Sequence, residues 1–399
     1  MTKSHGYRTG TRTGFSLVEM LMVIAVIALL ISLLLPVLSN ARDSAFQVRT
    51  AALSADIANA AQRFGNDNSG RNPGFFSESS MGSNANWGSG RVGMTAMENA
   101  MLDLGGTGVV LGRENDPAVA GLINPEEGII TIGPTEDVDG RIVINLNLIG
   151  AQGAYFTPDA KFFQPAAHGD REQHGRPQGE RLSDGVRSMT SGQVLMPDVL
   201  DGWGRPMLAW AQDPMARGQI LVEPGAAEND VYSQFAQVDS DTGPAWFYLA
   251  SNAGFLEAPG FDGGTINMAA DPAEGVTSAI GGGVDPDERI HTLATALASP
   301  GSYIVDPAQT GLESASFEEV FPSQPRGRFI VHSAGRDGIF LSSGDEGWRI
   351  NGHSDGTEFH LDFGNNYITQ GDERITDDKG AFSNIDMMDD FDDLLVGNR

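Results

Sequence analysis

Residues 14–38 read GFSLVEMLMVIAVIALLISLLLPVL, and this stretch decides the architecture of the chain. Between Met20 and Leu35 every side chain is apolar except Ser32. With residues 15–18 added, the run reaches the roughly 20 residues that a helix needs to cross a bilayer. One carboxylate, Glu19, interrupts its start; placed deep in lipid it would cost about 2.5–3.5 kcal/mol. Residues 1–14 carry Lys3, Arg8 and Arg12 and no acids. A basic flank of this kind stays cytoplasmic, which puts the bulk of the chain on the far side of the membrane.

Composition alone leaves two readings of this segment. One is a secretory signal, with Ser39-Asn40-Ala41 as a small-residue cleavage site, although the apolar run is too long for such a signal. The other is a plain signal anchor, in which Glu19 has no explanation. GFSLVE also resembles the prepilin motif of type IV pilins and type II secretion pseudopilins: a Gly, a Phe, three residues, then Glu. The resemblance implies that a membrane peptidase cuts between Gly14 and Phe15 and methylates the new N-terminal Phe15. It implies that Glu19 serves assembly, because a buried carboxylate needs a partner and a neighbouring subunit's N-terminal ammonium supplies one. The partners that follow are a prepilin peptidase, other pilin or pseudopilin subunits, an inner-membrane assembly platform and membrane lipid. The location that follows is the inner membrane, crossed once, with the N-terminus cytoplasmic and the head periplasmic or extracellular. Loss of the leader, residues 1–14, would leave 22 basic against 53 acidic residues, a charge of −31.

Pro36 lies inside the segment. It either kinks the helix and opens local backbone, as the resemblance implies for assembly, or is a tolerated membrane-helix proline. Beyond it, Phe46, Leu53, Ile57, Ala60 and Phe64 form one apolar stripe at helical spacing, and Gly65 ends the pattern. The spacing predicts a helix over 15–64, about 75 Å long at 1.5 Å per residue, with 15–38 in the membrane. Its lower half should lie on a small antiparallel sheet and its upper half should protrude. The expected class is therefore α+β: a pilin-like lollipop with a large loop-rich insertion.

The chain has 399 residues, with 53 acidic and 25 basic, for a net charge of −28. That balance excludes nucleic acid as a partner, since phosphate binding needs clustered Lys and Arg. It favours divalent cations. Cysteine is absent, which removes disulfides, thiolate metal sites and thiol nucleophiles. Gly 51 and Pro 20 point to many turns and loops.

Residues 65–210 read as the first part of the head. Residues 65–93 form a Gly- and Ser-rich loop whose Gly88, Gly90 and Gly93 lack the strand and helix a dinucleotide site requires. Met94, Met97, Met101 and Leu104 lie at helical spacing and read as core. Residues 128–149 read as a hairpin across a PTEDVDG turn. Residues 165–192, with His168 and His174, read as a solvated loop. The piece Asp201-Gly202-Trp203-Gly204-Arg205-Pro206 resembles a stretch of the G-type major pseudopilins and reads as a turn leading into a strand, with Trp203 as a core anchor. Residues 211–325 read as an inserted elaboration containing a helix at 287–299. Asp239, Asp241 and Gly243 lack the final Glu of an EF-hand and read as turn residues.

Residues 326–399 form an acidic β and loop region; from 337 onward it holds 15 acids against 4 bases. Ser333-Ala334-Gly335-Arg336-Asp337-Gly338 resembles a turn that holds calcium in G-type pseudopilins. The resemblance implies a calcium ligand set of Asp337, Ser343, Asp345 and Glu346, all hard oxygen donors. The late pair in FDDLL, Asp392 and Asp393, offers a displaced set, and solvated acidic turns without an ion are the third reading. His353 and His360 read as surface or satisfied residues. No nucleophile elbow, HExxH helix or phosphate loop is present, so no catalysis is expected. The function expected is a pilin-like subunit, minor or specialised given its enlarged head. A membrane-anchored surface-binding protein and a membrane-tethered hydrolase are the other readings.

Overall fold

The computed structural model describes residues 16–76, 95–132, 140–164, 196–212, 325–342 and 391–398, with isolated positions between them. Two compact units emerge, Met1–Phe46 and Gln47–Arg399. The first described element is helix α1, Leu17–Asp67, 51 residues long. It outruns the expected end by three residues, because Gly65 stays helical and Asn68 closes the last turn by bonding Phe64 O through its amide and side chain. Pro36 lies within α1, and the element is continuous through it.

The apolar side chains of α1 from Leu17 to Leu38 are exposed, and the helix is long and apolar enough to cross a membrane, as a signal sequence near the N-terminus also is. From Thr50 onward the pattern changes. Thr50, Ser54, Ile57, Ala58, Ala60, Ala61 and Phe64 are buried, a stripe at three- and four-residue spacing. Alanines on this stripe let other elements approach closely.

Helix α2, Ala96–Leu104, opens with a reciprocal capping box between Thr95 and Glu98. Met97, Met101 and Leu104 are buried, as their spacing predicts. Strand β1, Val110–Arg113, a short helical turn at Pro117–Ala120, strand β2, Ile129–Ile132, and strand β3, Ile142–Asn145, follow. They form an antiparallel sheet in the order β1-β3-β2. The β2–β3 pairing is the expected hairpin; its turn, 133–139, lies outside the described residues, and the end of its second arm winds into a 3-10 turn, Leu146–Leu148.

Strand β4, Phe163–Gln164, pairs with β5, Asp198–Val199. Strand β6, Leu208–Ala211, leads out of the 201–206 turn, as read from sequence. Short strands β7, Ala270–Asp271, and β8, Val276–Thr277, pair with each other inside the inserted region. Within the 287–299 pattern, Leu293, Ala296 and Leu297 are helical and buried. Strand β9, Phe329–Ser333, and strand β10, Leu394–Gly397, complete a second antiparallel sheet in the order β10-β9-β6.

One core joins these elements: Ile57, Ala60 and Phe64 of α1, Met97 and Met101 of α2, Ile130, Ile142 and Ile144 of the first sheet, and Ala209, Phe329 and Val331 of the second. Strand β9 is buried on both faces, since Ile330 and His332 are as inaccessible as Phe329 and Val331. Of the two tryptophans among the described residues, Trp210 is fully buried and Trp203 is half-buried. The fully buried ring is thus seven residues beyond the expected anchor, on the strand that follows the turn. The readings at Met94, 165–192, 77–93 and Asp239 to Gly243 lie outside the described residues.

Candidate functional site

Gly14 and Phe15 lie outside the described residues. Glu19 sits in the first turn of α1, where its carboxylate accepts from the Ser16 amide at 2.7 Å and its own amide donates to Ser16 Oγ at 3.2 Å. This is a capping box, which satisfies two of the donors that a helix start leaves open. Nothing in the sequence reading anticipated an in-chain partner for Glu19, although the S-x-x-E spacing announces one.

The second site forms where β9 ends. The chain leaves Ser333 into a turn in which Gly335 has φ +60° and Gly338 has φ +79°. Gly335 is required both by its backbone conformation and by the space around it, and Gly338 by its backbone conformation. A Cβ on Gly335 would strike the backbone and carboxylate of Asp392, and one on Gly338 would strike the Arg205 guanidinium. Asp337 caps the turn by accepting from the Ile339 amide at 2.7 Å.

Into this turn comes the segment ahead of β10. Asp392 Oδ2 accepts from the amides of Arg336 at 2.8 Å and Asp337 at 2.9 Å. Asp393 turns the other way and is buried: it accepts from the Leu341 amide at 2.8 Å and faces His332 Nε2 at 3.2 Å. Trp210 Nε1 donates to His332 Nδ1 at 3.2 Å, so the remaining proton of a neutral imidazole resides on Nε2 and points at Asp393. Burial pushes His332 down to about 3, in keeping with a ring that stays neutral, and burial holds Asp393 well above the usual carboxylate range.

Oxygens of Asp337, Asp345 and Asp392 lie within 4.8 Å of one another. Burial, then the charges of Asp392, Asp337 and Asp393, raise Asp345 to about 8. Burial and the charges of Asp337 and Asp393 raise Asp392 to about 7, and burial also raises Asp337. Three carboxylates so close repel one another and retain protons that isolated acids would release. Two of the four expected ligands, Asp337 and Asp345, therefore meet. Ser343 and Glu346 lie outside the described residues. The third acid comes from the FDDLL pair, 55 residues after Asp337.

The donor set suits a hard cation. It consists of carboxylate oxygens on a glycine turn, the chemistry that calcium selects. One atom also lacks a partner: Asp392 Oδ1 is enclosed and meets no hydrogen-bond donor among the described residues. A buried carboxylate oxygen without a donor is costly, and a cation satisfies it.

The DGWGRP turn backs the site. Asp201 is buried and accepts from the Trp203 amide at 2.9 Å, the Arg205 amide at 2.8 Å and the Ser333 hydroxyl at 2.7 Å. Burial lifts its carboxyl to about 6 against the pull of these bonds. Gly202 donates to Thr50 Oγ of α1 at 2.8 Å, which ties the same turn to the helix.

No protein-family model matches this chain, and searches of curated proteins and of solved structures return no significant match.

Proposed function

We propose that the chain is a pilin-like subunit of the type II secretion pseudopilus or type IV pilus class, cut after Gly14 and assembled through its N-terminal helix. One observation carries the reading. A single helix, α1, carries the capped Glu19 in its first turn, exposes a run through Leu38 that is apolar after Glu19 except at Ser32, and then buries a small-residue stripe under antiparallel strands. An exposed apolar half-helix requires lipid or like helices around it. The subunit works by position rather than by catalysis, and an enlarged head repeated along a fibre would crowd itself, which favours a minor or specialised role. Its partners are the prepilin peptidase, sister subunits and an inner-membrane assembly platform, and its head faces the periplasm or the exterior.

In this reading Asp337, Asp345 and Asp392 hold calcium, which supplies a charge-neutralising cross-link in a chain without cysteine. Glu19→Ala is the direct test of assembly. The variant should be cut and inserted normally yet be absent from sheared or cross-linked fibres, whereas incorporation at the native level would refute the role given to Glu19.

A further inference from the structure

Between Phe15 and Ala41 the chain has no basic side chain. The one polar side chain between Met20 and Leu38, Ser32, returns its hydroxyl to Leu29 O at 2.8 Å, so nothing in the run asks for water. Arg42 is the first cation beyond it. It belongs, with Phe46, to the same compact unit as the apolar half of α1. The bias that keeps Lys and Arg on the cytoplasmic side works against a cation just past a span on the far side, so Arg42 stands against the trend.

Arg42 is exposed, and its guanidinium carbon stands 5.0 Å from the centroid of the Phe46 ring, one turn further along the helix. Asp43 follows it in sequence, but adjacent side chains on a helix do not face each other. Among the described residues no ion pair joins Arg42 to a carboxylate. A guanidinium whose flat face lies over a ring keeps its N–H edge available for a forked bond to an oxyanion. The helical rise places that edge. From Leu17 to Arg42 α1 rises about 38 Å at 1.5 Å per residue. That exceeds the roughly 30 Å hydrocarbon core and falls within the 40–45 Å that includes both headgroup layers. A helix seated with Leu17 at one boundary therefore carries Arg42 to the phosphates of the opposite leaflet, with its stem along the apolar edge and its charge in the headgroups.

We propose that Arg42, backed by Phe46, binds the phosphate of a glycerophospholipid in the far leaflet and so sets the depth of α1 in the bilayer. The inference rests on the membrane-crossing reading above and goes beyond it, naming the lipid group and the side chain that takes it.

The test uses the full chain, isotopically labelled at the guanidinium carbon of every arginine, in vesicles of phosphatidylethanolamine and phosphatidylglycerol in phosphate-free buffer. Solid-state NMR reads the dephasing of that carbon by lipid phosphorus, which a direct guanidinium–phosphate contact gives at about 4 Å. The native chain should show it, and Arg42→Gln, a change at an exposed position, should lose most of it. The N-terminal mass of the same sample keeps the two readings apart. A chain that begins at Phe15 and shows no dephasing, or keeps the native dephasing in Arg42→Gln, would overturn the phosphate anchor and leave the pilin reading standing. A chain that begins at Met1 with dephasing that depends on Arg42 would support the anchor and overturn the pilin reading. A terminus at Arg42 or Asp43, with α1 removed ahead of it, would overturn both.

Discussion

Ser333 donates its hydroxyl to Asp201 Oδ2 at 2.7 Å, joining two turns that lie 132 residues apart in sequence. Asp201 gathers two amides of its own turn and this one hydroxyl, and Gly202 beside it reaches Thr50 of α1. The turn entering β6, the turn leaving β9 and the long helix therefore meet at one buried carboxylate. Removing the hydroxyl with Ser333→Ala deletes one of three donors and should cost about 1 kcal/mol. Asp201→Ala orphans all three and should cost about 3 kcal/mol or more, read as a lower denaturation midpoint of the chain in detergent.

Gly338→Ala and Gly204→Ala form an informative pair. Both positions have φ near +80°, at +79° and +84°, so each alanine carries the left-handed backbone strain of about 1–2 kcal/mol. Only Gly338 has a neighbour in the way, the Arg205 guanidinium, while nothing lies near a Cβ on Gly204. Because the guanidinium is the far end of a flexible side chain and can swing aside, the two alanines should lose similar stability, and a markedly larger loss at Gly338 would show that Arg205 is held firmly against it.

The crowded acids set a pH response with a definite sign. Asp201, Asp392 and Asp345 are raised from 3.8 to about 6, 7 and 8, so the folded chain keeps protons that the unfolded chain releases. Their contribution is complete below about pH 4 and is lost as pH rises through about 6 to 8. In chelator, melting temperature should fall across that window. Calcium should remove most of the fall above about pH 7, and Asp345→Asn should flatten it without calcium. A profile unaffected by either change would contradict the proximity of the three acids.

The long helix was legible because its signal is local. A run of apolar residues and then a stripe containing Ile57, Ala60 and Phe64 specify a helix and its buried face without reference to the rest of the chain. The β2–β3 hairpin and α2 were legible for the same reason. Asp337 and Asp345 were candidates through the resemblance of their stretch to a pseudopilin turn, and the FDDLL pair was visible as a candidate. That Asp392 joins them while Asp393 goes to His332 was not visible, since it depends on the register of β10 against β9 across more than fifty residues. Strand pairing over such a span is fixed by tertiary packing. His332 read as nothing in particular within FIVHS, because burial on both faces of β9 is a property of the second sheet rather than of the strand. Pro36 shows the converse case: a residue with a strong local preference for breaking helices sits in one that continues through it.

The central claim is that GFSLVE is a processing and assembly signal, and its most direct test is the mass of the N-terminal peptide of the native membrane-extracted protein. The account predicts a peptide that begins at Phe15 and carries one methyl group on its amine. A terminus at Met1, or one at Arg42 or Asp43 as conventional signal cleavage would leave, would contradict it.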